Sequence, residues 1–482
     1  MTRRAKIVCT LGPASSGPES IRALVRAGMD VARLNLSHGS HEEHERAYLE
    51  VRRASDEIGR SVAVLADLQG PKIRLGTFAG GTATLTVGDE FVITTDEVVG
   101  DARRASTTHE GLPDDVSAGD PILVDDGRLA LDVIGVSGND VTTRVRIGGP
   151  VSDHKGLNLP RTQVRVPVLT EKDLADLRWA LHLRADLVAL SFVRDPSDVK
   201  AVRAVMDEES VRLPVLAKVE KPQAVERLAD VVGAFDGVMV ARGDLGVEMP
   251  LDEVPMVQKR AVMLARDQAK PVIVATQMLE SMVTADRPTR AEASDVANAV
   301  LDGADALMLS AETSVGRDPR HVVDIMGRII ETAEAKGQDL LRALDRPPRT
   351  MGGAIAKAAM DVGERVGARA LCAFTQTGDT ARRLSRYRSP IPLLAFTPVQ
   401  AVRSQLSLSW GVETFLTPMV KHTDDMVRQV DAALLDLGRC AKGDLVVIVA
   451  GSPPGLPGST NALRVHRIGD AVDGVAPAYR DA

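Results

Sequence analysis

Several short apolar runs in this chain end in residues that can carry charge, donate a proton or bind metal. VARLNLSHG places Arg33, Asn35 and Ser37 two apart, on one face of a strand, with Ala32, Leu34 and Leu36 on the other. SVAVLAD ends in Asp67, LVALSFVR in Ser191, Phe192 and Arg194, and VLAKVEK in Lys218 and Glu220. VMVARGD ends in Arg242, Gly243 and Asp244, VIVATQM in Thr276 and Gln277, and LMLSAE in Glu312. One such ending alone reads as a solvated strand terminus or a local ion pair. All of them on one rim read differently, because crowded charges must pair, bind metal or bind ligand to avoid a large burial cost.

Glu220 and Asp244 are the candidate pair for a divalent cation. Two carboxylates, with water filling the remaining positions, suit Mg²⁺ or Mn²⁺, and Mg²⁺ in particular keeps waters and accepts substrate oxygens. The nine His and three Cys show no zinc spacing, which disfavours a softer metal. Lys218 and Arg33 would face that metal and stabilise negative charge on a phosphoryl group. The competing reading is a structural Lys218–Glu220 salt bridge. Backbone N–H groups of ARGDLG, near Gly243 and Asp244, could take a carboxylate. The ligand so described is a small phosphorylated carboxylate.

The elements that would position these residues follow from periodicity. AKIVCTL, VARLNLS and SVAVLADL read as strands, separated by helical pattern at ESIRALVRAG and HEEHERAYLEVRRASDEIG. From about residue 72 to 166 the pattern is short β segments with turn signals and no long helix. Alternation resumes with the helix LTEKDLADLRWALHL and the strands ADLVALSF, LPVLAKVE, FDGVMVAR, PVIVATQ and DALMLSAE. Three strands before the insertion and five after it give eight β/α units, an α/β-class (β/α)8 TIM barrel whose chemistry belongs at the strand C-termini. A helical segment with DRPPR closes this region. Beyond it, the strands ALCAFT, IPLLAFT, VETFL and DLVVIVAG with intervening helices suggest a doubly wound α/β domain. The expected divisions are 1–70 and 167–340 for the barrel, 71–166 for the inserted β-barrel lid and 345–482 for the C-terminal domain.

Composition narrows the function. The 482 residues are 44% hydrophobic but only 2% aromatic, which argues against a grip on single-stranded nucleic acid by base stacking. A net charge of −7 means that a phosphate-rich substrate needs a local basic site. Cys9, Cys372 and Cys440 are too scattered for a disulfide framework. The early Gly12 and Pro13 end the first apolar run too soon for a signal peptide, and no run spans a bilayer, so the expectation is a cytoplasmic protein without membrane partners.

The motifs RLNLSHG, ADLQGPKIR, VDDG, KGLNLP, LTEKD, SFVR, AKVE, VMVARGDLGVE, ATQMLESM and PTRAEASDVANAVLDGADALMLSAET, in this order, resemble those of the pyruvate kinase family. The resemblance covers the barrel and the insertion almost throughout and the C-terminal domain less specifically. It implies phosphate transfer from phosphoenolpyruvate to ADP, giving pyruvate and ATP, in a homotetramer. By the same resemblance Arg33 binds phosphate, Lys218 stabilises the transferring phosphoryl group, and Glu220 and Asp244 bind Mg²⁺. Gly243, Asp244 and Thr276 contact the substrate carboxylate, and Thr276 or a water it orders protonates the enolate. Asn35, Leu36, Ser37, His38, Arg74 and Lys155 contact nucleotide, with Lys155 brought by the lid.

Many family members need K⁺, at positions matching Asn35, Ser37, Asp67 and Leu68. Those members carry Glu where this chain has Lys72 and Thr where it has Leu68. The resemblance therefore implies that the Lys72 ammonium replaces the monovalent ion and makes K⁺ dispensable, although Asn35, Ser37 and Asp67 could still bind it. In the C-terminal domain Thr375, Gln376, Thr377, Gly378, Asp379 and Thr380 match a loop that binds a phosphorylated effector in family members. Gln376 and Asp379 stand where members answering to a fructose bisphosphate have basic residues. Ser452 and Pro453 stand where those members have Trp and Arg. Another sugar phosphate, a nucleotide monophosphate or no ligand remain alternatives for that loop. A Mg²⁺-dependent aldolase or lyase on the same barrel and a non-catalytic phosphometabolite sensor are the rival functions.

Overall fold

The computed structural model describes residues 3–160, 162, 164–341, 343–344, 346–456 and 458–471. Eight parallel strands close into a barrel: Lys6–Thr10, Val31–Asn35, Ala63–Asp67, Leu187–Leu190, Val215–Val219, Gly237–Ala241, Val272–Ala275 and Ala306–Leu309. The eighth pairs with the first, Lys6 opposite Ala306. Alternate residues face opposite ways, so each strand feeds two apolar shells. Ile7, Leu34, Val64, Val219 and Val240 lie buried in the shell shared with the helices. Val8, Leu65, Leu216, Met239 and Ile273 fill the interior, which makes the barrel a packed core with no open pore.

The surrounding helices begin where the sequence provides reciprocal caps. Ser40 with Glu43, Thr170 with Asp173 and Thr289 with Glu292 form capping boxes at His41–Ile58, Glu171–His182 and Arg290–Asp302. A cap of this kind stabilises a helix start by about 1 kcal/mol.

Between Asp67 and Glu171 the chain builds a separate β structure. Glu90–Thr94, Arg104–Ser106, Pro121–Val124, Leu129–Ser137, Asp140–Ile147 and Leu157–Asn158 make a six-stranded sheet. Thr82–Leu85 pairs antiparallel with Gly149–Ser152. Phe91, Ile93, Leu131 and Val141 belong to a core of their own, and the one α-helix among the described residues of this region is the four-residue Leu112–Asp115.

In the C-terminal region five strands lie in the order Val412–Leu416, Leu393–Thr397, Ala370–Phe374, Leu445–Gly451, Thr460–Arg467. The first four are parallel and the last is antiparallel to its neighbour. This region also seals the barrel floor. Leu408, fully buried, joins the barrel's inner cluster, Ser407 Oγ donates to the Ser61 carbonyl, and the Trp410 N–H donates to Asp305 Oδ1.

Two sequence expectations need correction. The helix Pro319–Lys336 stops before the Pro-rich stretch and only the turn Gln338–Leu340 follows. Residues 346–349 are irregular, since Pro347 and Pro348 lack the N–H a helix needs, and Asp345 lies outside the described residues. The antiparallel strand Thr460–Arg467 and the short helix Gln400–Gln405 were not anticipated. Residues 472–482 of the expected C-terminal domain also lie outside the described residues.

Candidate active site

Asp67 closes the third barrel strand and is almost wholly buried. Its Oδ2 accepts from Arg33 Nε at 2.6 Å, and its Oδ1 lies 3.3 Å from Lys218 Nζ. Lys218 reaches in from the fifth strand and also contacts Glu220 Oε1 at 2.9 Å and donates to Ser191 Oγ at 2.7 Å. Ser191 in turn donates to the Leu68 carbonyl, and Glu220 Oε2 accepts the Phe192 N–H at 2.7 Å. The ends of four strands are therefore joined through one ammonium and one guanidinium.

The protonation equilibria record this crowding. Burial pushes the Asp67 carboxyl up, but Lys218 and Arg33 outweigh it and hold the group below the usual carboxylate range. Burial pushes Lys218 down, and Asp67 and Glu220 overcome that and raise it above an ordinary lysine. Glu220 goes the other way. Its burial raises it, Lys218 lowers it, and the charge of Asp244 raises it again. An acid destabilised by a neighbouring acid is what a shared dication relieves. Asp244 stays partly exposed, and among the described residues its side chain has no hydrogen-bond or ion-pair partner. The described residues contain no cluster of three or more His, Cys, Asp or Glu suited to a metal. A cation shared by Glu220 and Asp244 would thus complete its shell with water or substrate oxygens, the habit of Mg²⁺.

At the end of the seventh strand Thr276 and Gln277 adopt φ of 69° and 54°. A β-branched residue in the left-handed region is strained by about 1–3 kcal/mol, which the surroundings must enforce. Here Arg242 does so, donating to the Thr276 carbonyl at 2.8 Å while paired with Asp295. Thr276 Oγ1 accepts the Gly243 N–H at 2.7 Å and donates to the Ala275 carbonyl. The Gly243 N–H, which the sequence left open for a carboxylate, is therefore taken by the threonine. The oxygens of Glu312, just after the eighth strand, accept the N–H groups of Leu279 and Ser310, so it braces two loops.

Residues 2–323 match the family described as "Pyruvate kinase, barrel domain", and residues 353–466 match "Pyruvate kinase, alpha/beta domain". The chain belongs to the pyruvate kinase family. A relative named pyruvate kinase from Mycobacterium tuberculosis is 59% identical over 470 residues, covering 98% of this chain and 99% of its own. One from Corynebacterium efficiens is 58% identical over the same length. The crystal structure of a pyruvate kinase from Cryptosporidium parvum superposes with a TM-score of 0.89 at 32% identity, covering 97% of this chain and 96% of that one. Pyruvate kinases are phosphotransferases.

The other residues singled out from the sequence lie around that mouth. Asn35 Oδ1 accepts the Ser37 N–H, the His38 N–H donates to the Asn35 carbonyl, and the Leu36 N–H donates to the Asp67 carbonyl. Burial, and then the charges of Arg74, Lys72, Arg33 and Lys172, push the His38 imidazole down. Gly70 has φ of 72°, and a Cβ there would lie 2.7 Å from the Phe192 ring, so the break in ADLQGPKIR requires glycine. Arg74 donates to the His154 carbonyl, and Lys155 pairs with Asp125 at 2.8 Å, away from the cluster around Lys218.

Sequence reasoning missed the ties between lid and barrel. Asn158 Nδ2 donates to the buried Glu248 Oε1 at 2.8 Å, and Lys221 Nζ meets the same oxygen at 2.7 Å. Arg194 donates to the Val164 and Val166 carbonyls of the returning segment. Lys172, which donates to the Leu36 carbonyl, was also missed. Its signal was available in LTEKD, the start of a capped helix. The loop Thr375–Thr380 lines a pocket with Thr417, Met419 and Ser459 at the point where strand order reverses. No Lys or Arg is among the described residues lining it.

Proposed function

We propose that the chain transfers phosphate from phosphoenolpyruvate to ADP, yielding pyruvate and ATP, at the barrel mouth around Lys218. The observation that carries this reading is the Lys218 ammonium held between Asp67 and Glu220, with the Arg33 guanidinium on the same aspartate. Phosphoryl transfer needs positioning and charge stabilisation more than covalent chemistry. Arg33 and Lys218 orient and neutralise the phosphoryl oxygens, and Asp67 fixes both cations. Glu220 and Asp244 would hold Mg²⁺, which supplies a Lewis acid for carboxylate and phosphoryl oxygens when bound. Thr276, held rigid by Arg242, lies where a carboxylate contact and proton delivery to the enolate carbon are both served. Arg74, Lys155 and the Asn35–His38 turn receive the nucleotide, and lid closure excludes water that would hydrolyse the phosphate.

A coupled assay of pyruvate formed from phosphoenolpyruvate, with and without ADP, tests the assignment. ADP-dependent pyruvate is expected. Pyruvate without ADP means transfer of the phosphate to water, and no pyruvate under either condition favours the lyase or the sensor reading. The homotetramer, cytoplasmic location and phosphorylated effector belong to the same reading. The described helices include none long and apolar enough to cross a membrane. The C-terminal pocket has no Lys or Arg among its described lining residues and carries Asp379, which supports a monophosphorylated ligand over a bisphosphate.

K⁺ is dispensable in this reading. Both Asp67 oxygens face cations of the chain, and the Leu68 carbonyl accepts Ser191 Oγ. Lys72 is exposed and without a side-chain partner among the described residues, so its ammonium is available to the mouth. The expected outcome is full activity when K⁺ is replaced by tetramethylammonium. Lys72→Glu should lose about 10²-fold in that medium and recover on adding K⁺. Collapse of the unmodified enzyme without K⁺ would end this reading.

A further inference from the structure

A small cavity under the barrel, facing the C-terminal domain, is lined by Lys270, Arg382, Arg386 and Arg388, with Asp305 the one carboxylate among the described lining residues. Arg266 also borders it and donates to the Arg386 carbonyl. Arg388 is paired with Asp305 at 3.0 Å, both nearly fully buried. The other three cations are met by uncharged oxygens. Lys270 Nζ donates to the carbonyls of Val232, Gly233 and Phe235, Arg386 to the Asp267 carbonyl and the Tyr387 hydroxyl, and Arg382 to the Thr377 carbonyl. The Nε–H groups of Arg386 and Arg388 are buried and have no partner. Burial lowers the pKa of Arg382 and of Lys270, opposed by the charge of Asp236 at both and of Asp379 at Arg382.

Arg386 and Arg388 are buried, Lys270 and Arg382 are partly so, and this local excess of positive charge, with two buried Nε–H groups unpaired, calls for an anion. Size selects which one. The cavity is small, which favours a monatomic anion over phosphate or sulfate. Water would fit but carries no charge. We propose that this cavity is a halide site, taking one chloride-sized anion between Lys270 of the barrel and the guanidinium groups of Arg382 and Arg386. Because Arg382 also holds the Thr377 carbonyl, the bound anion steadies the loop Thr375–Thr380 as well as the junction between the two domains.

The test compares thermal unfolding in potassium chloride and potassium gluconate at equal ionic strength, with K⁺ constant. Bromide-soaked crystals are examined by anomalous scattering alongside. The unmodified chain should unfold about 2 °C or more higher in chloride, with a bromide peak inside the cavity. Arg386→Gln should keep its turnover and lose the chloride-dependent shift, while Arg386→Lys keeps part of it. Equal Tm in the two salts, an undiminished shift in Arg386→Gln or a cavity without bromide overturns the proposal. So does a bromide peak with no chloride-dependent Tm, which marks an adventitious ion only. Should Arg386→Gln fail to fold, the Tm and bromide measurements on the unmodified chain decide.

Discussion

Replacing Lys218 by alanine is expected to cut turnover by about 10³-fold or more, the scale for removing a donor aimed at developing charge in a dry site. The chain should still fold, because the barrel shells do not involve this side chain. It should fold less stably, since Asp67 keeps only Arg33 and Glu220 loses its one cation. Stranding a buried charge costs about 3–5 kcal/mol when nothing relaxes. The pH dependence carries a sign of its own. In the unmodified chain Asp67 has a depressed pKa, so its contribution is present above the unfolded value near 4 and disappears as pH falls through the folded one. Without Lys218, Glu220 moves further up, the folded state takes a proton more readily than the unfolded, and acidification then favours folding. The stability gap between variant and parent should therefore narrow as pH falls from neutrality toward the unfolded glutamate value of about 4. Normal turnover in Lys218→Ala would remove the lysine from the mechanism, and a gap that is constant with pH would refute the coupling to Glu220.

Glu220→Gln separates charge from shape at the same place. The amide oxygen can still accept the Phe192 N–H, so the loop after the fourth strand keeps its anchor. What disappears is one of the two negative charges facing a dication. Direct Mn²⁺ binding, followed by electron spin resonance without substrate, should weaken by at least about 10–100-fold, the loss seen when even an outer partner of a metal ligand is removed. Turnover should fall by about 10³-fold. Stability should fall modestly, because with the amide oxygen on the Phe192 N–H the amide NH2 would face the Lys218 ammonium that Oε1 meets at 2.9 Å in the parent. Unchanged Mn²⁺ affinity would place the metal elsewhere.

The barrel was legible because its signals are local. Short apolar runs such as AVLAD, the alternation of Arg33 and Asn35 with Ala32 and Leu34, and capping pairs such as Ser40 with Glu43 announce strands and helices without tertiary information. The barrel mouth was legible because polar residues follow apolar runs at the ends where such folds work. What the residues did not disclose was partnership. The family resemblance implied that Asp67 is an ion ligand, and only the closed sheet shows it between Arg33 and Lys218. Glu312 looked like another acid of the mouth, and its role as a backbone acceptor depends on a loop 33 residues earlier. The strand Thr460–Arg467 was missed because only Thr460 and His466 of its eight residues are buried, which blurs the alternation. Asn158 and Glu248 lie 90 residues apart and belong to different cores, so no pattern along the chain could join them.

Leu408 has a consequence for any attempt to dissect this molecule. A shortened chain that ended before the last domain would open the underside of the barrel to water. The interior layer around Val8, Ala306 and Met308 would lose its stopper, and Asp305 would lose both the Trp410 amide and Arg388. The catalytic half is thus not a free-standing module, and its isolated form should need either a substitute apolar plug or tolerance of a wetted, loosened base.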